Sequence, residues 1–306
     1  MTQIPFVKNF AFDYGAPTAL SRLVRRVIAN NPGPFTYTGS GTYLVGHETL
    51  AIIDPGPDDP AHVEALVKAV GDAQVTHILV THTHRDHCGA ARALAARLNA
   101  PIYGAGPHPV KAKRDDAPAL DEGADYAFAP DLLMKDGAIV EGPGWTIEAV
   151  ATPGHLSNHL CFGLKEEKAL FTGDHVMGWA TTVVAPPDGD MGDYFASLEK
   201  LRARDDLIYY PTHGAPIEKP HAFVRAVRAH RRIRDAQILE QLKNGCTRIK
   251  EMTAVMYADV DKRLHGAAAL NVHAHLIRLV RTGVVTTDGA PMMESAYRLA
   301  DQNARR

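Results

Sequence analysis

The chain has 306 residues, 45% hydrophobic and 22% charged, with 33 Lys and Arg against 35 Asp and Glu, a length and balance that suit about two globular domains rather than one minimal core or a disordered tail. No apolar run approaches the roughly 20 residues of a membrane-spanning helix, and residues 1–10 carry no continuous apolar h-region of a secretory signal. The expectation is therefore a cytoplasmic protein with no membrane partner, and a homo-oligomer is compatible with it. Cys88, Cys161 and Cys246 are odd in number and widely spaced, which argues against a disulfide framework or a thiolate zinc site and for small buried residues.

In chain order, residues 50–53 (Leu-Ala-Ile-Ile) read as a strand with Asp54 at its tip. Residues 75–80 form a β-rich apolar run, fit for a buried strand, and residues 88–98 are Ala-rich and helical in composition. Between them stands Thr81-His82-Thr83-His84-Arg85-Asp86-His87. Three imidazoles and a carboxylate in six residues do not serve packing; imidazole nitrogen and carboxylate oxygen are zinc ligands, and a catalytic zinc keeps one position open for water. In an extended segment residues i and i+2 share a face, so His82 and His84 can grip one ion while Asp86 and His87, past the turn, point to a second.

Later strand-like runs each deliver one more ligand-type residue at their ends. Residues 145–150 lead to Thr152-Pro153-Gly154-His155, residues 169–172 to Gly173-Asp174, and residues 207–210 to Pro211-Thr212-His213-Gly214. Gly and Pro beside each candidate suit tight turns that aim side chains at a shared point. His159 and His175 stand near these motifs and are left out of the ligand set. Residues 186–190, Pro-Pro-Asp-Gly-Asp, read as an exposed loop near the site mouth, and Met177, Trp179 and Met191 as either pocket lining or core.

Charge divides the chain: residues 1–218 hold 17 basic and 27 acidic residues, residues 219–306 hold 16 and 8. A boundary near residue 219 follows, giving domains 1–218 and 219–306. The tail reads as helices over 221–244, 247–257 behind a Thr cap, and 267–282, followed by a strand–turn–strand at 284–299. That pattern resembles a small winged-helix domain. Arg225, Arg228, Arg231 and Arg232 crowd the first tail helix, which makes them candidate phosphate contacts or, more blandly, a solvated or dimer face.

As an ordered set, His-X-His-X-Asp-His, Gly-His, Gly-Asp and His-Gly resemble the metallo-β-lactamase superfamily over residues 30–218. The resemblance implies an αββα sandwich with the site at one edge of its two sheets. It implies that His82, His84 and His155 hold a first metal, that Asp86, His87 and His213 hold a second, and that Asp174 bridges both, with Asp54 orienting a ligand from behind. Two divalent ions, most simply Zn2+, would hold a bridging hydroxide and polarise the scissile group, so Asp86 and Asp174 count as catalytic and no Ser or Cys nucleophile is needed. Thr-His-X-His-Arg-Asp-His, the short winged-helix-like tail, and the segments Gly173-Asp174-His175-Val176-Met177-Gly178 and Thr181-Thr182-Val183-Val184 resemble the lactamase-like-protein-2 group, which includes a single-strand endoribonuclease. Cleavage of single-stranded RNA is therefore one expectation. Hydrolysis of a small-molecule thioester or lactone, as in the glyoxalase II branch, or weak β-lactamase activity is the alternative. A non-enzymatic nucleic-acid-binding protein is disfavoured because every ligand position is filled.

Overall fold

Short apolar runs buried on both faces build two sheets with a shared interior. The computed structural model describes residues 4–108 and 123–301. The first half contributes β1 (Thr18–Ala19), β2 (Val24–Ile28), β3 (Gly41–Gly46), β4 (Thr49–Ile53), α1 (Pro60–Val70), β5 (Gln74–Leu79), α2 (Arg85–Cys88), α3 (Ala91–Leu98), β6 (Ile102–Gly104) and β7 (Leu132–Leu133). These seven strands lie side by side in chain order, antiparallel up to β4 and parallel from β4 to β7. Next come β8 (Ile139–Gly142), β9 (Trp145–Ala151), β10 (Leu160–Leu164), β11 (Ala169–Gly173), α4 (Met191–Arg202) and β12 (Ile208–Pro211). They form a second sheet in the order β12-β11-β10-β9-β8, in which only β11 and β12 are parallel.

Alternate residues on each strand face opposite layers. Tyr43, Val45, Ala51, Ile53 and Leu79 of the first sheet meet Trp145, Ile147, Phe162, Phe171 and Tyr210 of the second in the central core. Their neighbours Leu44, Leu50, Ile52 and Ile78 point outward, onto Val63 and Leu66 of α1 and Leu94 of α3. On the other side Val150, Cys161, Leu170 and Tyr209 meet Tyr194 and Leu198 of α4. This is the expected αββα sandwich.

The chain continues with α5 (Pro220–Lys243), α6 (Ile249–Met256), α7 (His265–Arg281) and a hairpin of β13 (Val285–Thr287) and β14 (Tyr297–Leu299). Pro220 opens α5 at a position where its missing N–H has no helical partner to lose. A separate core of Ile238, Leu242, Ile249, Met252, Val272, Leu276, Val285 and Tyr297 joins the three helices to the hairpin, the mainly helical winged-helix arrangement expected. The charge step at residue 219 does not separate the packing, however. Phe223, Val224, Ala226 and Val227, in the first half of α5, belong to the core that covers the second sheet, whereas Ile238 and Leu242 in its second half belong to the tail core.

Two local expectations change. Arg248, not Thr247, caps α6: its backbone N–H donates to Glu251 at 3.3 Å, while the Thr247 carbonyl accepts from Tyr297 N–H at 2.9 Å and so ties the hairpin to the helix. Residues 186–190 are not an exposed loop. Pro186, Asp188 and Gly189 are buried, Asp188 accepts from Ser157 N–H at 2.8 Å, and Asp190 caps α4 by accepting from Gly192 and Asp193 N–H. Composition alone suggests solvent; the carboxylates are instead used to satisfy backbone donors.

Candidate metal centre

Strand direction gathers the motifs at one edge. β4 and β5 are parallel, and β9 and β11 share a direction because each is antiparallel to β10, with β12 parallel to β11. The residues following β4, β5, β9, β11 and β12 carry Asp54, the His82–His87 cluster, His155, Asp174 and His213. The two sheets are laced together there. Tyr43 Oη donates to the Pro211 carbonyl at 2.6 Å, Leu160 N–H to the Thr81 carbonyl at 2.8 Å, and Thr212 Oγ1 to Asp54 at 2.8 Å. Helix begins at Arg85, earlier than composition suggests, so Asp86 and His87 lie in the turn of α2 with His84 as its N-cap.

All seven candidate ligands converge, in two groups whose ligand atoms lie within 4.8 Å of one another: His82, His84, His155 and Asp174, then Asp86, His87 and His213. Within the first group, His82 Nε2 lies 3.0 Å and His155 Nε2 3.1 Å from His84 Nδ1. Hydrogen-bond accounting shows why protein alone does not satisfy them. Thr81 Oγ1 donates its proton to Asp54 and so accepts from His82 Nδ1; His155 Nδ1 donates to the Val183 carbonyl at 2.6 Å. Both Nε2 atoms therefore present lone pairs, and the single Nδ1 of His84 can satisfy at most one of them. A cation bound by all three is the chemistry that fits, since two ligands on a tetrahedral zinc lie about 3.3 Å apart.

In the second group, His87 Nδ1 donates to Asp54 at 2.8 Å and His213 Nδ1 to the Gly39 carbonyl at 3.2 Å. Their Nε2 atoms face Asp86 at 3.3 and 3.1 Å and Asp174 Oδ1 at 3.5 and 3.3 Å. Asp174 Oδ2 lies 3.8 Å from His155, so this one carboxylate faces both groups. Among the described residues, Asp86 Oδ1, His87 Nε2 and Asp174 Oδ1 are buried without a hydrogen-bond partner, a costly arrangement unless another group meets them there. Asp54 stands behind the ligands, accepting from Thr81 N–H, Thr81 Oγ1, His87 Nδ1 and Thr212 Oγ1, the orienting contact a ligating imidazole needs on its far nitrogen.

Burial lowers His82 well below the ordinary histidine range, with His87 and His84 adding to the effect. It lowers His84 to about 3, His155 contributing next, and lowers His155 as well. These rings are neutral, the form that binds a metal. For His87, burial opposes the charge, but Asp86, Asp174 and Asp54 outweigh it and raise the pKa well above the usual value; Asp174 and Asp86 overcome burial in the same way at His213. Below those raised pKa values the two rings hold protons that must leave before a metal enters. In metal-loaded protein, acidification is therefore expected to empty the Asp86–His87–His213 group first, in a step that Asp86→Ala abolishes. Metal content followed during stepwise dialysis checks this; a single step, or one indifferent to Asp86→Ala, would contradict it.

Several contributing residues were not visible in the sequence. Ser40 Oγ donates to Asp86 at 3.2 Å, and Arg26, buried, donates to the Gly214 carbonyl at 2.8 Å beside His213. Gly39, at φ +121, has no room for a side chain, since a Cβ would meet the Ala29 carbonyl at 2.1 Å. The Thr38-Gly39-Ser40-Gly41-Thr42 run that leads into β3 is the available signal. His159 Nε2 accepts from Asp174 N–H at 3.2 Å while its Nδ1 donates to Thr152 Oγ1 at 2.8 Å, so it supports the Asp174 backbone from outside the ligand groups. His175 is fully buried beside Tyr194, outside both groups. Cys88 packs in the helix-covered core, its thiol pushed up to about 12 by burial. Met177 lines the pocket over the ligands with Phe35 and Val183, Met191 is core, and Trp179 stacks on Tyr37 with centroids 4.8 Å apart.

The four arginines proposed for phosphate do not form one surface: Arg228 and Arg232 border the same cleft, but Arg231 does not reach solvent. Arg225 and Arg232 are exposed, but Arg228 pairs with Glu199 of α4, and Arg231 is 2% exposed. Its guanidinium donates to the Thr182 carbonyl and to Asn271. Helical spacing places residue 231 on the face that α5 buries, which overrides the preference of its charge for water.

Comparison with known proteins agrees with this arrangement. Residues 37–213 match the model of the Metallo-beta-lactamase superfamily, and residues 249–292 that of the Beta-lactamase associated winged helix domain. The chain is 35% identical over 279 residues to a Beta-lactamase-like protein 2 homolog of Caenorhabditis elegans, covering 87% of each chain. It is 34% identical over 252 residues to an atrochrysone carboxyl ACP thioesterase of Aspergillus chevalieri, covering 81% of this chain and 75% of that one. The fold superposes on a beta-lactamase domain protein from Burkholderia ambifaria with a TM-score of 0.76 at 19% identity, covering 95% and 96% of the two chains. On its sequence match, its relatives and its sandwich fold, this chain belongs to the metallo-β-lactamase superfamily of hydrolases, with a β-lactamase-associated winged-helix domain behind the catalytic one.

Proposed function

We propose that this protein is a thioester hydrolase acting at a two-metal centre, with zinc the natural occupant of its His and Asp donors. His82, His84 and His155 would hold one ion, Asp86, His87 and His213 the other, and Asp174 both. Bound there, divalent ions supply Lewis acidity and lower the pKa of bound water. The chain's own contribution is orientation. Asp54, Gly39 and Val183 fix the far nitrogens of His87, His213 and His155, and Phe35, Met177 and Val183 give the pocket an apolar wall against which an acyl group can pack.

The observation that carries the substrate class is the charge state of the carboxylates that line the pocket. Among the described residues, the acids lining the pocket are Asp86 and Asp174; although burial opposes it, His87 and His213 hold Asp86 well below the usual carboxylate range, and His213 and His87 do the same for Asp174. Neither is suited to protonate a leaving group. A thiolate, whose conjugate acid has a pKa of about 8.5, departs without one, while the alkoxide of an RNA strand or a lactone is far more basic. The thioesterase among the relatives supports the same reading. The RNA reading is weakened by the pairing of Arg228 and the burial of Arg231.

The test is a substrate panel on zinc-loaded protein: an acyl thioester of N-acetylcysteamine, the matching oxoester, a lactone, a β-lactam and single-stranded RNA. The thioester is expected to exceed its oxoester by at least about 100-fold in kcat/KM, or roughly 2.7 kcal/mol. Comparable oxoester turnover, or RNA cleavage without thioester turnover, would remove the proposal.

A further inference from the structure

Thr182, Val183 and Val184 form a short strap between β11 and α4 that touches both the metal ligands and the C-terminal helices. On its inner side, the Val183 carbonyl accepts from His155 Nδ1 at 2.6 Å, and Thr182 Oγ1 donates to the carbonyls of Asp174 at 2.5 Å and His175 at 3.1 Å. On its outer side, Arg231 of α5 donates to the Thr182 carbonyl, and Val184 N–H donates to Asn271 Oδ1 of α7 at 3.1 Å. The two outer groups hold each other: Arg231 Nη1 donates to the same Asn271 oxygen at 3.3 Å. Asn271 Nδ2 donates to the Ala267 carbonyl at 3.2 Å, which fixes which way the amide points.

Both ends of the strap are thus gripped by α5 and α7, and its middle residue sets the ring of a ligand. Arg231 lies over the Tyr194 ring at 5.1 Å, and Tyr194 Oη donates to the His175 carbonyl at 3.0 Å, beside Asp174. Among the described residues Arg231 forms no ion pair, so a buried cation is kept for contacts with backbone oxygen, an amide and a ring face. Burying a guanidinium without a carboxylate is unfavourable, and helix packing alone would be served by a hydrocarbon of similar length.

We infer that Arg231 and Asn271 are positioning residues for the metal centre: by clamping residues 182–184, they hold the Val183 carbonyl where it presents His155 Nε2 to a metal ion. The inference rests on the reading of this site as a metal centre. It assigns the winged-helix domain a part in metal binding, and Arg231 a role inward rather than toward nucleic acid.

The test compares zinc affinity, by competition with a chromophoric chelator, in the full chain and in Arg231→Met, Arg231→Lys and Asn271→Leu, with the visible spectrum of the Co2+ form as a second readout. Arg231→Met and Asn271→Leu are expected to bind one zinc equivalent about 10- to 100-fold more weakly, the range for lost support behind a ligating histidine, and to shift the Co2+ bands. Arg231→Lys, which keeps the charge but not the planar fork, should show a smaller loss of the same equivalent. It also decides the matter if the larger changes fail to fold. Arg281→Gln removes the pair with Asp190 across the same interface without touching the strap, and should leave affinity and spectrum unchanged. Equal zinc affinity in wild type and Arg231→Lys, with Arg231→Met either equal or unfolded, would overturn the inference while leaving the metal centre intact. Equal losses in Arg281→Gln would also overturn it. A wild type that binds no zinc would overturn both readings.

Discussion

Asp174→Ala is expected to lower kcat/KM toward a thioester by at least about 1,000-fold, roughly 4 kcal/mol of transition-state stabilisation, and to leave the protein folded with depleted metal. The expectation comes from a position no other ligand shares, with one oxygen toward His155 and the other toward His87 and His213. The backbone contacts of residue 174, from its N–H to His159 and to its carbonyl from Thr182, do not need the carboxylate. Near-UV circular dichroism should therefore stay close to wild type. His84→Ala, which removes a donor from the first group alone, should lose less metal than Asp174→Ala. Full metal content and activity in either variant would refute the ligand assignment.

Asp54→Ala should be the most destabilising single change near the site. Four donors end on this carboxylate, which is 1% exposed. Each donor left buried without a partner costs about 1–3 kcal/mol, and breaking a buried charged contact typically costs about 3–5 kcal/mol in all. A loss near 3 kcal/mol would lower Tm by roughly 5 °C in a chain of 306 residues. Metal affinity should also fall, about 10- to 100-fold, because His87 loses its orienting acceptor. Calorimetry of the metal-free and metal-loaded forms separates the two effects. A Tm within 2 °C or so of wild type would mean that water replaces Asp54 at little cost.

The catalytic half was legible because its chemistry is local in sequence. His82, His84, Asp86 and His87 fall within six residues, and the run before them is β-rich and apolar as a buried strand requires, so the motif and its setting could be read together. Ser40, Gly39 and Val183 were not legible. They act through a hydroxyl or a backbone carbonyl on residues far along the chain, and a carbonyl has no residue type to advertise it. Arg231 departs from its sequence pattern for a related reason. Arg225, Arg228 and Arg232 share one charged face at i, i+3 and i+7 spacing, whereas a turn of about 100° per residue sets Arg231 off from Arg232, and only the packing of α4, α5 and α7 shows that Arg231 is taken inside. The acidic residues at 188 and 190 misled in the same direction, since their backbone donors become visible only once the chain has turned.

α5 gives the molecule a mechanical property. Its 24 residues form a beam about 36 Å long, with a proline only at its first residue and no glycine, so it lacks the usual places at which a helix bends. One end is embedded under the second sheet and the other in the C-terminal core. Rotation of the winged-helix domain as a rigid body would have to break one of those packings or the helix itself. A chain cut at residue 218 would then leave Leu170, Tyr209 and Tyr194 without the cover that Phe223, Val224 and Val227 give them.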